Sequence, residues 1–562
     1  PRKSHSTREI REQHAEVQKK YRCDRQRRYT DPVDFEGILK ILGDCTWWHI
    51  WVYILISVQQ IPHAMFSSSV VFLMYQPDYW CKINDSNMAK SAYKWSLKDV
   101  LETSVVFPLI KINHKNESLL HDQLHQMDLS QAIIAVRNES TDIAYCQRWE
   151  YDKSIMRSTI VTDWNLVCSD HFKEAYVHLL CSLGFFSGCL LGGYVSDRFG
   201  RRITIVGFGI LSAIFGFFLP YSTRFSLFLL FRFLNAACNE AAQLAAYVLC
   251  IEVTGIRYRA AFGSMLQAPW VLGCLFVTLT AYISRSWRKV QLVTALLHVI
   301  AVLLLCALPE SPRWLVISNR VEEAEHYIRQ ACRYECRPSL PCDLELVKHT
   351  EQQRWVKKNR QANVFSILKS RVLCFRAAVL STIWISTALI YFVLFDQAGL
   401  GKFSISSNFF INNAIVAASE ISAMFGCMYL FRFGHKNSQI IALIGAVTFM
   451  YATIGATHHN LLFIRGSFNV LYIFSLELYP TVIRSSAIGI NLMVRLMKWF
   501  ESIRHFLIPL TALFVFSVFA TVLGIFLPES LDRPLPDTLQ VRLRITLFCA
   551  IYNSFLGEVD LF

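Results

Sequence analysis

Three ionisable residues stand inside stretches that are otherwise apolar: Arg232 in FLLFRFLNAAC, Glu240 two turns further on, and Glu420 in NNAIVAASEISAMFG. A charge surrounded by hydrocarbon must snorkel, pair or line a polar path, so each is a candidate for structure or function. Arg232 is expected to make a structural pair, with Glu240 as candidate partner. Glu420 stands near the middle of its run, as a binding acid or as a carboxylate satisfied by polar neighbours. A second kind of charge sits at the end of an apolar run, in GGYVSDRFGRR, where Asp197 is followed within five residues by Arg198, Arg201 and Arg202. At a helix end Asp197 can pair with arginines or face the positive N-terminus of a neighbouring helix. This is the chemistry of ion pairing, not of bond making. There is no HExxH and no paired CxxC. GLGKF at Gly399 lacks the phosphate-loop pattern, because Asp396 and Phe403 stand where glycine and a hydroxyl belong. No enzyme, metal or cofactor chemistry is expected. Any energy must come from a solute gradient, a coupling ion or an exchanged counter-substrate.

The elements that carry these residues follow from composition. Of 562 residues 53% are hydrophobic and 17% charged, below the roughly one quarter usual in soluble domains, and the mean hydropathy is +0.33. Runs of about 20 apolar residues can cross a bilayer as helices. They fall at Trp47–Tyr75, Ala175–Ser196, Ile203–Tyr221, Ser226–Ile251, Phe262–Ile283 and Gln291–Leu308. A second set falls at Phe375–Phe395, Phe409–Leu430, Gln439–Thr457, Leu461–Leu478 and Phe506–Leu527, with a weaker run near Thr481–Phe500. The expected fold is an all-α membrane protein of twelve transmembrane helices, embedded in the lipid bilayer.

The net charge of +14 does not imply nucleic acid. Basic residues crowd the chain before residue 45, Arg198–Arg202, the pair Arg257 and Arg259, and the stretch Pro309–Cys374. A cytoplasmic N-terminus puts all of them on the cytoplasmic side. Arg285, Arg288 and Lys289, in an expected outside turn, are the exception. The sequons at Asn84, Asn116 and Asn138 all fall between the first two spans, in the same expected outside segment, 76–172. Cys81, Cys146 and Cys168 share that segment and are disulfide candidates, with one of the three left over. Most of the 17 cysteines lie in or beside apolar runs, where a small buried thiol is the default. The chain opens on Pro1, so its start is expected to be trimmed or incomplete, and the first span to act as the targeting element.

An internal repeat is legible. DRFGRR at Asp197 is echoed by FRFGHK at Phe431, and LPESPR at Leu308 by LPESLDR at Leu527. Glu252 with Arg259 seven residues on is echoed by Glu477 with Arg484 seven residues on. Three markers in one order argue for a duplicated six-helix unit around a midplane site. The expected plan is an N-terminal cytoplasmic segment 1–45, a first half 46–308, a linker 309–374, a second half 375–530 and a cytoplasmic tail 531–562. The second half is short: Asp197 to Glu252 is 55 residues, Phe431 to Glu477 only 46. Short ninth and tenth spans are expected.

GYVSDRFGRR resembles the cytoplasmic loop motif of the major facilitator superfamily, and PESPRWL at Pro309–Leu315 resembles the signature after the sixth helix in sugar and organic-ion transporters. PDYWC at Pro77–Cys81, STIVTDWNLVC at Ser158–Cys168, ELYPTVIRSSAIG at Glu477–Gly489 and DFEGILKILG at Asp34–Gly43 are similar to the organic cation, carnitine and organic anion transporters, solute carrier family 22. The resemblance runs from about Asp34 to Gln540. It implies the fold of two pseudo-repeated six-helix halves and an alternating-access carrier in the plasma membrane, with both termini cytoplasmic. It implies a latch built from Asp197, Arg201, Glu252 and Arg257, with Arg198, Arg202, Glu477 and Arg484 beside it. Glutamate at 420 is similar to cation and carnitine members. On the eleventh helix the position that distinguishes cation from anion carriers is Leu496, with Arg495 one residue early. Tyr247 matches a pocket position, Gln243 replaces an aromatic one turn before it, and Trp384, Tyr391 and Phe392 fall where the family lines its cavity. The expected substrate is a small organic cation or a zwitterion such as carnitine. The alternatives are an organic anion carrier, or a degenerate member that binds or scaffolds without transport.

Overall fold

The computed structural model describes residues 45–81, 109–110, 143–144, 149–167, 170, 172–318, 320–334, 371–399, 408–452, 457–481, 483–492 and 510–531. Asn84, Asn116, Asn138, Cys146, Cys168 and Arg495 lie outside the described residues. So do the side chains of Cys81, Tyr391 and Phe392.

Among the described residues twelve helices fall on the twelve expected spans, in chain order. The first six are α1 Trp47–Ser68, α2 Lys173–Phe199, α3 Arg201–Phe218, α4 Phe225–Val253, α5 Ile256–Ser284 and α6 Trp287–Leu305. The second six are α7 Arg371–Gly399, α8 Phe409–Leu430, α9 His435–Ala452, α10 Thr457–Leu478, α11 Arg484–Leu492 and α12 Leu510–Gly524. Between the sets, among the described residues, lie two short helices, Pro312–Ile317 and Val321–Tyr334. Among the described residues six helices are long and apolar enough, by length and composition, to cross a membrane. Their exposed faces carry Leu191, Ile203, Ile214, Phe217, Leu279 and Leu303, while polar groups are turned inward. Lipid, not water, is the solvent such a surface fits.

The most enclosed helix is α4, buried continuously from Asn239 to Val253. It carries Arg232, Asn239, Glu240, Gln243 and Glu252 on its buried positions. A glycine ladder lets α2 approach it. A Cβ on Gly188 would fall 2.2 Å from the Ala237 carbonyl oxygen, and one on Gly192 2.5 Å from Ala241 Cα. With no hydrophobic drive between helices in lipid, such close backbone packing supplies the association. The same device joins the halves, since a Cβ on Gly193 would meet Ser486 Cα at 2.8 Å and one on Gly489 the Cys189 carbonyl at 2.4 Å.

One sequence expectation is corrected here, while the short ninth and tenth spans turn on residues 453–456, which lie outside the described residues. The first helix ends at Ser68, with a separate turn Val70–Leu73, rather than running to Tyr75.

Between α1 and α2 the segment is drawn together by β1 (Tyr79–Cys81) pairing antiparallel to Trp149–Tyr151. Its end is strapped to the α5–α6 turn. Arg157 and Ser158 donate backbone N–H groups to the Arg285 carbonyl at 2.8 and 3.3 Å. Asp163 accepts from Trp287 Nε1 at 2.9 Å and from Arg288 at 3.2 Å. Arg285 reaches the Ser154 carbonyl at 3.1 Å. Two of the three basic residues that broke the charge rule at this turn, Arg285 and Arg288, are therefore fasteners for the segment.

Candidate functional site: two latches and an aromatic floor

The cluster that begins at Asp197 divides three ways. Arg198 is exposed and reaches Tyr194 on its own helix at 3.1 Å. Arg202 turns to the linker, donating to the Cys306 carbonyl at 2.9 Å and to Tyr327 at 3.4 Å. Arg201 is fully buried and forms a fork on Glu252, with bonds of 3.1 and 3.0 Å, while also reaching Asp197 at 3.3 Å. A planar guanidinium matched to a carboxylate in this way is the strong form of the pair.

Glu252 serves both halves. It accepts Arg484 of α11 at 3.0 Å and the Ser311 hydroxyl at 2.6 Å. Asp197 also crosses between the halves, at the N-terminus of α11. Its carboxylate accepts the backbone N–H groups of Ser485 and Ser486 at 3.3 and 2.9 Å, and the Ser486 hydroxyl at 2.7 Å. Orphan donors and the helix dipole make that end a natural seat for an anion.

A second latch repeats the first with different chemistry. Glu477 of α10 meets His435 Nδ1 at 2.6 Å and Arg259 of the first half at 3.9 Å. Each half thus lends one arginine to the other's glutamate: Arg484 to Glu252 and Arg259 to Glu477. Arg257 is exposed over the Tyr258 ring and stands outside the network. Arg259, two residues later, is the buried one.

Each latch is framed by a glutamate from the LPES repeat. Glu310 accepts the N–H groups that open α3, Arg201 at 2.9 Å and Arg202 at 3.2 Å. Burial raises the Glu310 carboxyl above its ordinary value, and these donors and the Arg201 charge oppose the rise. Glu529 accepts His435 N–H at 2.8 Å and Lys436 N–H at 3.4 Å at the start of α9. Gly200 and Gly434 precede these helices with φ of +112° and +95°, and a Cβ on either would fall 2.4 Å from the glutamate oxygen. Only glycine meets both demands.

About 8 Å along α4 from Glu252 lies an aromatic floor. Tyr247 stacks on Tyr472 of α10, centroids 5.0 Å apart and planes at 19°. Trp384 of α7 meets Tyr472 edge-on at 4.8 Å and donates Nε1–H to Ser475 at 2.9 Å. Gln243 donates to Gln60 of α1 at 2.6 Å, and Gln267 of α5 donates to the Tyr247 hydroxyl. Glu420 lies on α8, 8% exposed. At the opposite end the halves close on rings, with Phe72 stacked on Phe410 at 6.1 Å and Tyr75 against Phe409 at 4.9 Å.

Arg232 is not paired with Glu240. It sits over the Phe66 ring at 4.1 Å and donates to the Phe66 carbonyl at 3.3 Å and to Ser69 at 3.4 Å. Sequence reasoning missed Arg259, His435, Ser485, Ser486 and Tyr472. His435 was visible as the residue standing in Arg201's place in the echo. Tyr472 was visible only as one of an i, i+4 aromatic pair with Phe468.

Two six-helix halves that exchange arginines at one end and rings at the other make up the major facilitator fold. The fold is shared with the proton:xylose symporter XylE bound to 6-bromo-6-deoxy-D-glucose, at TM-score 0.54 and 16% identity over 86% of this chain and 98% of that one. The chain belongs to the sugar (and other) transporter family, whose family model matches residues 173–500. Relatives along nearly its whole length include the human (Homo sapiens) organic cation/carnitine transporter 2, 25% identical over 91% of this chain and 94% of that protein. The Drosophila melanogaster organic cation transporter protein is 25% identical over 90% and 94% of the two chains. Solute carrier family 22 member 6 of Pseudopleuronectes americanus is 28% identical over 74% and 76%.

Proposed function

We propose that this multi-pass membrane protein carries small organic cations, or zwitterions such as carnitine, across the plasma membrane by alternating access, and that it is a carrier rather than an enzyme. The observation that carries the substrate class is the floor of Tyr247, Tyr472 and Trp384, contributed by both halves. Ring faces attract a quaternary ammonium by about 0.5–2 kcal/mol each, and stacking across the halves closes the path beneath the substrate. Glu420 supplies the compensating charge. The latch end is cytoplasmic in this reading, and the strapped segment with Asn84, Asn116 and Asn138 is extracellular and glycosylated.

Alternating access needs contacts that hold in one state and break in the other. The paired latches are such contacts, since both glutamates bind arginines of the opposite half. Uptake of labelled tetraethylammonium and carnitine by cells displaying the protein tests this. Saturable uptake is expected, lost in Asp197→Asn and with KM raised several-fold in Tyr472→Ala. Surface display without uptake of either compound would instead support a non-transporting binding protein, and uptake confined to organic anions would overturn the cation reading.

A further inference from the structure

The seam between α1 and α4 is a column of polar pairs. From the aromatic end downward it runs Ser69 with Arg232, then His63 with Glu240, then Gln60 with Gln243, and ends at the Tyr247 floor. Two of these pairs are neutral or fixed in charge. The one between them is not. His63 Nε2 lies 3.9 Å from Glu240 Oε2, and both side chains are fully buried. The glycine ladder of α2 flanks this level and brings Cys189 Sγ to 3.8 Å from Glu240 Oε1. Trp270 of α5 covers the imidazole at 5.3 Å. Asn239, beside Glu240 in sequence, is fully buried with no hydrogen-bond partner for its amide nitrogen or oxygen among the described residues. Neither latch uses His63 or Glu240.

Two ionisable groups at this spacing and depth can keep one proton on either partner, as imidazolium with carboxylate or as imidazole with carboxylic acid. Both forms are neutral overall. Loss of the proton leaves one negative charge in the seam, one helical turn from Gln243 and two from Tyr247. Other titratable groups surround the pair. Cys189 faces it from α2, and Cys274 on α5 meets Ser68 at 3.0 Å. His298 on α6 meets Gln59 at 3.1 Å. Glu420 on α8 lies one turn beyond Ala417, which packs with Ala64 beside His63. On α4 itself Arg232 sits two turns away. Among the described residues at this level α3 offers Ser212, bonded to Asn235, and α11 offers Gly489.

We propose that His63 and Glu240 form a proton-binding site whose occupancy alternates with that of the organic cation, so that the carrier exchanges a proton for its substrate. This rests on the organic-cation reading above. A cation on the floor favours the deprotonated, negative seam, and a returning proton disfavours the cation; the coupling is reciprocal. The proton leaves to the aqueous side to which the carrier is open, so charge balances at one proton for one monovalent cation.

The test uses full-length protein in liposomes with labelled tetraethylammonium and an interior about one pH unit more acid than the exterior, a gradient that sustains about tenfold accumulation in one-to-one exchange. Wild type is expected to accumulate the cation and to lose the accumulation when a protonophore collapses the gradient. Glu240→Gln and His63→Asn are expected to equilibrate without accumulating. As a readout free of variant folding, saturating tetraethylammonium added to lightly buffered wild-type protein should release about one proton per chain. Wild-type uptake that ignores the gradient, accumulation that survives in Glu240→Gln, or ligand binding without proton release overturns the exchange while leaving the carrier reading standing. No uptake under any gradient overturns the carrier reading and the exchange together.

Discussion

Glu252 shows how much one buried carboxylate can hold. It accepts arginines from both halves and a hydroxyl from the linker, with no exposure of its own. Replacing both partners of a buried ion pair can be neutral, but removing one strands the other's charge at about 3–5 kcal/mol. Glu252→Gln removes the carboxylate that Arg201 and Arg484 share across the halves and leaves Arg201 to Asp197 alone, so the latch end is expected to open. Spin labels at Arg198 and Arg432, both exposed and on opposite halves, should report a longer distance in Glu252→Gln than in wild type. An unchanged distance would sink the latch. The residue scale also explains the misplacement of Arg257. Arg259 stands two positions further along α5, about 200° around the helix, so one arginine faces outward and the other faces Glu477. The family resemblance put Arg257 in the latch, and the turn of α5 from its start at Ile256 gives that place to Arg259.

Among the elements, the α2–α4 seam was half legible. The glycines at 184, 188, 192 and 193 and the alanines of NAACNEAAQLAA stand plainly in the sequence, but no periodicity says which small face meets which. Coordinates pair Gly188 with Ala237 and Gly192 with Ala241. Gly188→Val should therefore force the helices apart and abolish monodisperse expression, since no flexible side chain can yield to a Cβ against backbone. Gly207→Val on α3, where a Cβ meets nothing within 4 Å, is the matched control and should express as wild type. Equal behaviour of the two variants in size-exclusion profiles would refute the packing account. The spans were legible because lipid imposes a long apolar run on each of them.

At the scale of the whole molecule, the repeat left one question open, the loss of the acid at Phe431. The structure pairs that loss with another. Asp197 meets Ser485 and Ser486 at the start of α11, whereas Phe431 joins a buried cluster with Cys427, Val470 and Ile473 against which Ala260 of α5 packs. In register after Arg259 stand Ala260 and Ala261, where Ser485 and Ser486 follow Arg484. An acid bonded to serines in one half thus answers to a ring in an apolar cluster in the other, and Glu477 there is held by His435 and Arg259. The exchange was invisible to motif comparison because its two sides lie far apart in the chain and only the fold brings them together. It yields a coupled prediction. Phe431→Asp alone places a carboxylate against Ala260 and beside the Glu477 charge partnered by His435, and should lower the melting temperature by several degrees, as a loss of about 1–3 kcal/mol does. Adding Ala260→Ser and Ala261→Ser supplies the donors that Asp197 enjoys and should recover part of that loss. The serines alone, set against the wild-type ring, should stabilise nothing. Three melting temperatures decide it: if the triple variant melts no higher than Phe431→Asp, the two latches are not versions of one design.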